Sequence, residues 1–267
     1  RLMGVRLHAA CEDEVNQHIV RSARGGVGGV VITPNLDHLR RAVRDHGYRA
    51  MIEHASLSVP DGFPLVLASR IQGTPLPARV AGSDLISSLS ACAAQAGLSI
   101  FLLGGDPGTA ERAGEVLRQR HPDLVIAGTY CPPVGFEHDA AIMDEMRRTL
   151  HESGAHIVFV ALGSPKQERL IARLREELPG AWWLGVGISF SFLCGEVPRA
   201  PRWMRRCGLE WFHRLISEPR RLFRRYLIEG IPFAARLMLH SLRVRLFGRR
   251  RPAGEPMNGP CNGASKS

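Results

Sequence analysis

Three signatures are missing from this 267-residue chain: a C-x-x-C pair, a D-x-D pair of acids, and a G-x-G-x-x-G turn between strand and helix. Its six cysteines (Cys11, Cys92, Cys131, Cys194, Cys207, Cys261) are irregularly spaced, which argues against a disulfide framework or zinc site and for reduced thiols in a cytosolic protein. Without D-x-D no motif is evident for a divalent metal. Glu12-Asp13-Glu14 is better read as the solvated first turn of a helix, where carboxylates suit the helix dipole. Gly25-Gly26-Val27-Gly28-Gly29 and Gly185-Val186-Gly187 lack the order of strand and helix that a dinucleotide fingerprint requires. No apolar run approaches the ~20 residues needed to span a bilayer. Neither an initiator methionine nor a signal-peptide pattern stands at Arg1, so the native N-terminus is expected to be missing. Lysine is nearly absent, Lys166 being the only one before Lys266.

What is present suffices for an ordinary core, since 45% of residues are hydrophobic although only 6% are aromatic. The net charge of +10 is uneven. Residues 1–198 carry 19 basic and 21 acidic side chains, whereas residues 199–251 carry 15 arginines against Glu210, Glu218 and Glu229. The partner of that second segment should be an anionic surface or a phosphorylated ligand.

Periodicity predicts a strand at 4–9, a helix at 12–24, a strand at 29–32 and a helix at 36–45. Thr33-Pro34-Asn35 then lies at a strand-to-helix junction, where open α/β folds put ligand contacts, although Asn35 reads equally well as a helix N-cap. Residues 63–71 form an apolar helix or strand, and 82–95 a helix capped by Ser83 or Asp84. Strands at 98–103, 124–128, 157–162 and 182–186 alternate with helices at 109–120, 138–151 and 165–177. This rhythm predicts an α/β fold with a Rossmann-like, mostly parallel sheet and helices on both faces. Gly104-Gly105 and Gly163-Ser164-Pro165-Lys166-Gln167-Glu168 stand between strand and helix, where amides could meet a phosphate and Gln167 could bind hydroxyls.

In Ser58-Val59-Pro60-Asp61-Gly62 a carboxylate stands between two residues that punctuate the backbone. Asp61 is either a catalytic base on a turn beside a cavity or the cap of the helix that follows. From Pro201 onward arginines interleave with Trp203, Leu209, Trp211, Phe212, Phe223 and Tyr226, and again through 232–247. This basic amphipathic pattern is expected to lie in an anionic membrane interface and not on nucleic acid. The predicted organisation is therefore a catalytic domain at 1–198, a basic helical appendage at 199–251 and a disordered tail at 252–267.

Thr33-Pro34-Asn35, Pro60-Asp61-Gly62, Arg79 with Gly82-Ser83-Asp84, Gly104-Gly105, Gly163–Glu168 and Gly195–Pro201 occur together and in order. With Gly208–Trp211, Arg214-Leu215, Glu218–Arg221 and Arg225-Tyr226, they make the chain similar to the WecG/TagA/CpsF glycosyltransferases (glycosyltransferase family 26) from Gly4 to about Gly230. The resemblance implies a GT-E type Rossmann-like fold and an inverting, metal-independent transfer that needs no cofactor. A sugar would pass from a nucleotide-sugar donor to a lipid-diphosphate-linked acceptor, a polyprenyl diphosphate bearing a sugar, in surface or exopolysaccharide synthesis. It makes Asp61 the general base and places Thr33, Asn35, Arg79 and Gln167 in the sugar pocket, with Gly104 and Gly105 on the donor side. Arg214, Arg221, Arg224 and Arg225 would close over the site and meet diphosphate charge. Ser191 stands where many relatives have aspartate, which leaves the donor sugar open, xanthan-type mannosyl transfer included. The implied location is cytoplasmic, peripheral to the inner leaflet of the cell membrane, with self-association as a homo-oligomer in solution. The competing reading is a non-enzymatic basic adaptor with a degenerate Rossmann-like domain.

Overall fold

In the computed structural model, residues 1–247 are described, except for the side chains of Arg202, Arg206 and Arg221. The arginine run 249–251 and the tail at 252–267 lie outside them. Six strands, β1 (Gly29–Ile32), β2 (Leu57–Ser58), β3 (Ser99–Gly104), β4 (Val125–Tyr130), β5 (Ile157–Ala161) and β6 (Trp182–Gly185), form one sheet. Their order is β2-β1-β6-β5-β3-β4, and every neighbouring pair is parallel.

The strands read as unbroken apolar runs because helices cover both faces. Ile100 and Leu102 of β3 pack in one core with Ile157, Phe159 and Trp182, while Phe101 and Leu103 pack in the other with Val158, Val160 and Trp183. The period-2 alternation of side chains feeds both layers. Helices α1 (Glu12–Arg24), α5 (Gly82–Ala96), α6 (Thr109–Arg120) and α9 (Ser189–Leu193) lie on the first face. Helices α2 (Leu36–Arg44), α3 (His46–Glu53), α4 (Phe63–Gln72), α7 (Ala140–Ser153) and α8 (Lys166–Leu174) lie on the second.

Two local readings change and two are sharpened. Residues 4–9 make no strand, although an isolated bridge joins Leu2 to Val5. Instead His8 N–H donates to Ser58 O and the His8 ring accepts the Ser58 N–H, so one residue closes the open edge of β2. The apolar run after Gly62 is helix, with proline in its first turn and Gly73 in the left-handed conformation at its end. Neither Ser83 nor Asp84 caps α5, because the Asp84 carboxylate is held by arginines. Asp45 was expected to end one helix, yet its side chain accepts the Tyr48 N–H and starts α3.

After Arg199 the chain runs through α10 (Arg202–Arg206), α11 (Glu210–Ser217), α12 (Pro219–Phe223), a π-helical stretch (Arg224–Gly230) and α13 (Ile231–Phe247). Helix α13 packs on α4 and α2 and buries Phe233, Leu237 and Ser241. It leaves Leu239, Leu242, Leu246 and Phe247 exposed. Among the described residues no helix is long and apolar enough to cross a membrane.

Candidate active site

A cleft of about 420 Å3 opens at the carboxyl ends of β1, β2, β5 and β6 and is roofed by the C-terminal helices. Thr33, Asn35, Asp61, Arg79, Gln167, Arg214 and Arg225 all line it, which brings together residues 192 positions apart in the chain. Gly104, Gly105 and Arg224 do not line it, and the Arg221 side chain lies outside the described residues. Both glycines serve packing at the end of β3: a Cβ on Gly104 would stand 2.7 Å from Ala161 O, and one on Gly105 3.2 Å from Phe190. Arg224 faces solvent and pairs with Glu229 at 3.3 Å. Ser191 is also off the cleft, its carbonyl accepting the Glu196 N–H at 3.0 Å.

Asn35 does cap its helix, since Oδ1 accepts the N–H of Asp37 at 3.0 Å and of His38 at 3.2 Å. Asp61 does not. Gly62 takes the N-cap position of α4, and its φ of 141° belongs to glycine alone. The Asp61 N–H is tied to Pro34 O at 2.8 Å, and its side chain keeps 28% of its surface open.

Charge around Asp61 is dense and mutually held. Arg79 Nη1 donates to Asp61 Oδ1 at 3.3 Å and to Glu210 Oε2 at 3.5 Å, while Nη2 donates to Asp84 Oδ2 at 2.8 Å. Arg199 and Arg205 also reach Asp84 Oδ1. Burial pushes the Asp61 carboxyl up to about 6, against the downward pull of Arg79, and the negative charges of Glu210 and Asp84 add to the rise. Arg79 itself stays charged, as three carboxylates outweigh the cost of its burial. Glu210 belongs to α11, so a C-terminal helix sets part of the field at Asp61. Its spacing within the sequence carries no sign of this role.

A second charge group joins α2 to the π-helical stretch. Arg225 pairs with Asp37 at 3.1 Å, and Arg40 pairs with Glu229 at 2.7 Å. Burial raises the Asp37 carboxyl, yet Arg225 and Arg40 outweigh it and hold it below the usual carboxylate range. Arg214 has a buried Nε without a hydrogen-bond partner among the described residues. Arg40, Arg79, Arg205, Arg214 and Arg225 outnumber Asp37, Asp61 and Glu210 in the lining, and α8 opens on the cleft without a side-chain cap. Such an end with such a lining favours an anion. Lys166, in the first turn of α8, points away into an ion pair with Glu137 at 2.9 Å.

His38 and Glu168, buried on α2 and α8, were not singled out by spacing. Their contacts run from Asn35 to Gln167 along the cleft, which His38 also lines. Among the described residues no group of three or more His, Cys, Asp or Glu gathers as a metal site.

The model of the Glycosyl transferase WecG/TagA/CpsF family matches residues 1–246. The chain is also similar to the N-acetylglucosaminyldiphosphoundecaprenol N-acetyl-beta-D-mannosaminyltransferase of Bacillus subtilis (strain 168). The two are 33% identical over 193 residues, which cover 72% of this chain and 73% of that protein.

Proposed function

The chain belongs to the WecG/TagA/CpsF family of glycosyltransferases and is thus an enzyme, and we propose that it transfers a sugar with inversion and without metal. The acceptor is a polyprenyl-diphosphate-linked sugar, by analogy with the substrate in the relative's name, and a nucleotide diphosphate sugar is the donor that the arginine-lined cleft suits. The adaptor reading accounts for the basic segment but not for the gathering of Asp61, Arg79 and Gln167 in one cleft.

One observation carries the proposal: Asp61 opens on an arginine-lined cleft with a proton affinity raised toward neutrality and no capping duty. A carboxylate so poised takes the proton of the attacking acceptor hydroxyl as the new bond forms at the anomeric carbon. Direct displacement by that hydroxyl inverts the centre. Negative charge grows on the leaving diphosphate, and Arg214 and the open end of α8 are the groups we assign to meet it. Metal independence rests on the donor set. Asp61, Asp84 and Glu210 are each paired with arginine, so their charge is met without a cation. Thr33, Asn35, Arg79 and Gln167 are assigned to the sugar.

Residues 1–198 form the catalytic domain in this reading, completed by Arg214 and its neighbours from the appendage, and residues 199–251 also hold the enzyme on the inner leaflet of the cell membrane from the cytoplasmic side. The exposed apolar face of α13 would self-associate when no membrane is present. Two measurements test the reaction. Transfer from nucleotide sugars to a short-chain polyprenyl-diphosphate-N-acetylglucosamine should persist in EDTA and yield the inverted anomer by NMR. Loss of turnover in EDTA, or retention at the anomeric centre, overturns the corresponding part. Because the base acts deprotonated, kcat/KM should fall about tenfold per pH unit below about 6 and level off above it. A flat profile down to pH 4.5 would remove Asp61 from the role.

A further inference from the structure

Glu168 is 4% exposed, and its carboxylate meets two donors, both on Oε1: Gln167 Nε2 at 3.1 Å and His38 Nε2 at 3.4 Å. The other ring nitrogen of His38, Nδ1, lies 2.7 Å from Asn35 Oδ1. That Asn35 atom already accepts two backbone N–H groups, so it is the oxygen, and the nitrogen facing it must donate. Nε2 faces the Glu168 carboxylate. The ring thus bridges the two amides that line the cleft.

The consequence is a fixed polarity. Asn35 Oδ1 is turned into its own helix by three donors, which leaves Nδ2, without a partner among the described residues, for the cleft. Gln167 Oε1 accepts the Gly187 N–H at 3.0 Å, so this amide too has its oxygen occupied and an N–H left over. Gln167 has little room to turn over, since a Cβ on Gly185 would stand only 2.5 Å from its Nε2. The Tyr48 ring, 6.2 Å from His38, flanks the bridge.

We propose that His38 and Glu168 are positioning residues that hold Asn35 and Gln167 with their N–H groups toward the substrate, so that the pocket selects sugars by acceptor oxygens at those two places. The proposal rests on the glycosyltransferase reading of the cleft, and the experiment separates the two. Calorimetry compares the full-length wild type, Glu168→Gln, His38→Phe and Asn35→Ala. Probes are UDP-N-acetylmannosamine, UDP-N-acetylmannosaminuronic acid, UDP-glucose and GDP-mannose, each beside its bare nucleoside diphosphate.

Glu168→Gln and His38→Phe should each weaken the bound nucleotide sugar ~10-fold, the scale of a lost hydrogen bond, and leave the bare diphosphate unchanged. A merely structural role would weaken both ligands together, and that result overturns the proposal. If His38→Phe does not fold, Glu168→Gln, which keeps side-chain volume, decides alone. Weakening by Asn35→Ala with no effect of Glu168→Gln sinks the positioning role and leaves the cleft reading standing. No binding of any probe to the wild type, or no effect of Asn35→Ala, sinks the cleft reading itself.

Discussion

Asp61→Asn should cut turnover by ~10²- to 10⁴-fold and at the same time make the protein more stable at neutral pH. Loss of turnover follows from the removal of the group that takes the acceptor proton. The gain in stability follows from linkage. The folded carboxyl titrates at about 6 against 3.8 in the open chain, so the native state binds more protons between those values. Stability therefore declines as pH rises through that window and stays lower above it, by up to about 3 kcal/mol at pH 7. Asparagine carries no charge to bury and avoids the penalty. Arg79 is not orphaned by the change, because Asp84 and Glu210 still hold it. A gain of about 1 kcal/mol corresponds to about 2–4 °C in Tm for a chain of this size.

Thermal unfolding at pH 7.5 and pH 5 checks the sign. The advantage of the variant should shrink at the lower pH, where the wild-type carboxyl takes up its proton. A variant that loses turnover and also melts early would mean that Asp61 serves the fold. Near-normal turnover with the lipid-diphosphate acceptor would remove it from catalysis.

Legibility in the sequence divides by range. The apolar strands β3 and β5, and helices α1 and α6, announce themselves because their patterns are local. Strand β2 does not, being two residues long with no period to detect. Asp61 could not be separated from a cap by sequence, since that depends on which residue takes the position before Phe63. The φ of Gly62 decides it. The link of His38 to Glu168, and the roles of Asp84 and Glu210 in the charge network, are hidden for a different reason. These contacts join separate elements, and nothing in an arginine-rich segment says which arginine or acid meets which.

The largest effect on membrane binding should come from Leu239, Leu242 and Leu246 changed together to glutamate. These positions recur at i, i+3 and i+7 and make one exposed stripe on α13, with the exposed Arg236 and Arg243 beside it. If that stripe lies in an anionic interface, each leucine loses about 1 kcal/mol of apolar burial, allowing for partial contact already made in the fold. Each new carboxylate adds a repulsion of about 1 kcal/mol near the surface. Partition onto anionic vesicles should then drop by roughly 10⁴-fold, with little change in melting temperature, because none of the three side chains is in the core. Leu237, on the opposite face of the same helix, is buried against the second core. Leu237→Ala should cost ~2–5 kcal/mol of stability and leave vesicle binding of the folded fraction unchanged. The contrast is what tests the interface. Unchanged pelleting of the triple variant would overturn the membrane role of α13, and equal destabilisation by both variants would mean that the stripe packs against protein instead. Helices α11 and α13 also bring Trp211, Arg214, Ile231 and Ala234 to the cleft. Turnover of the triple variant should thus fall on a vesicle-borne acceptor and persist on a short-chain, soluble one.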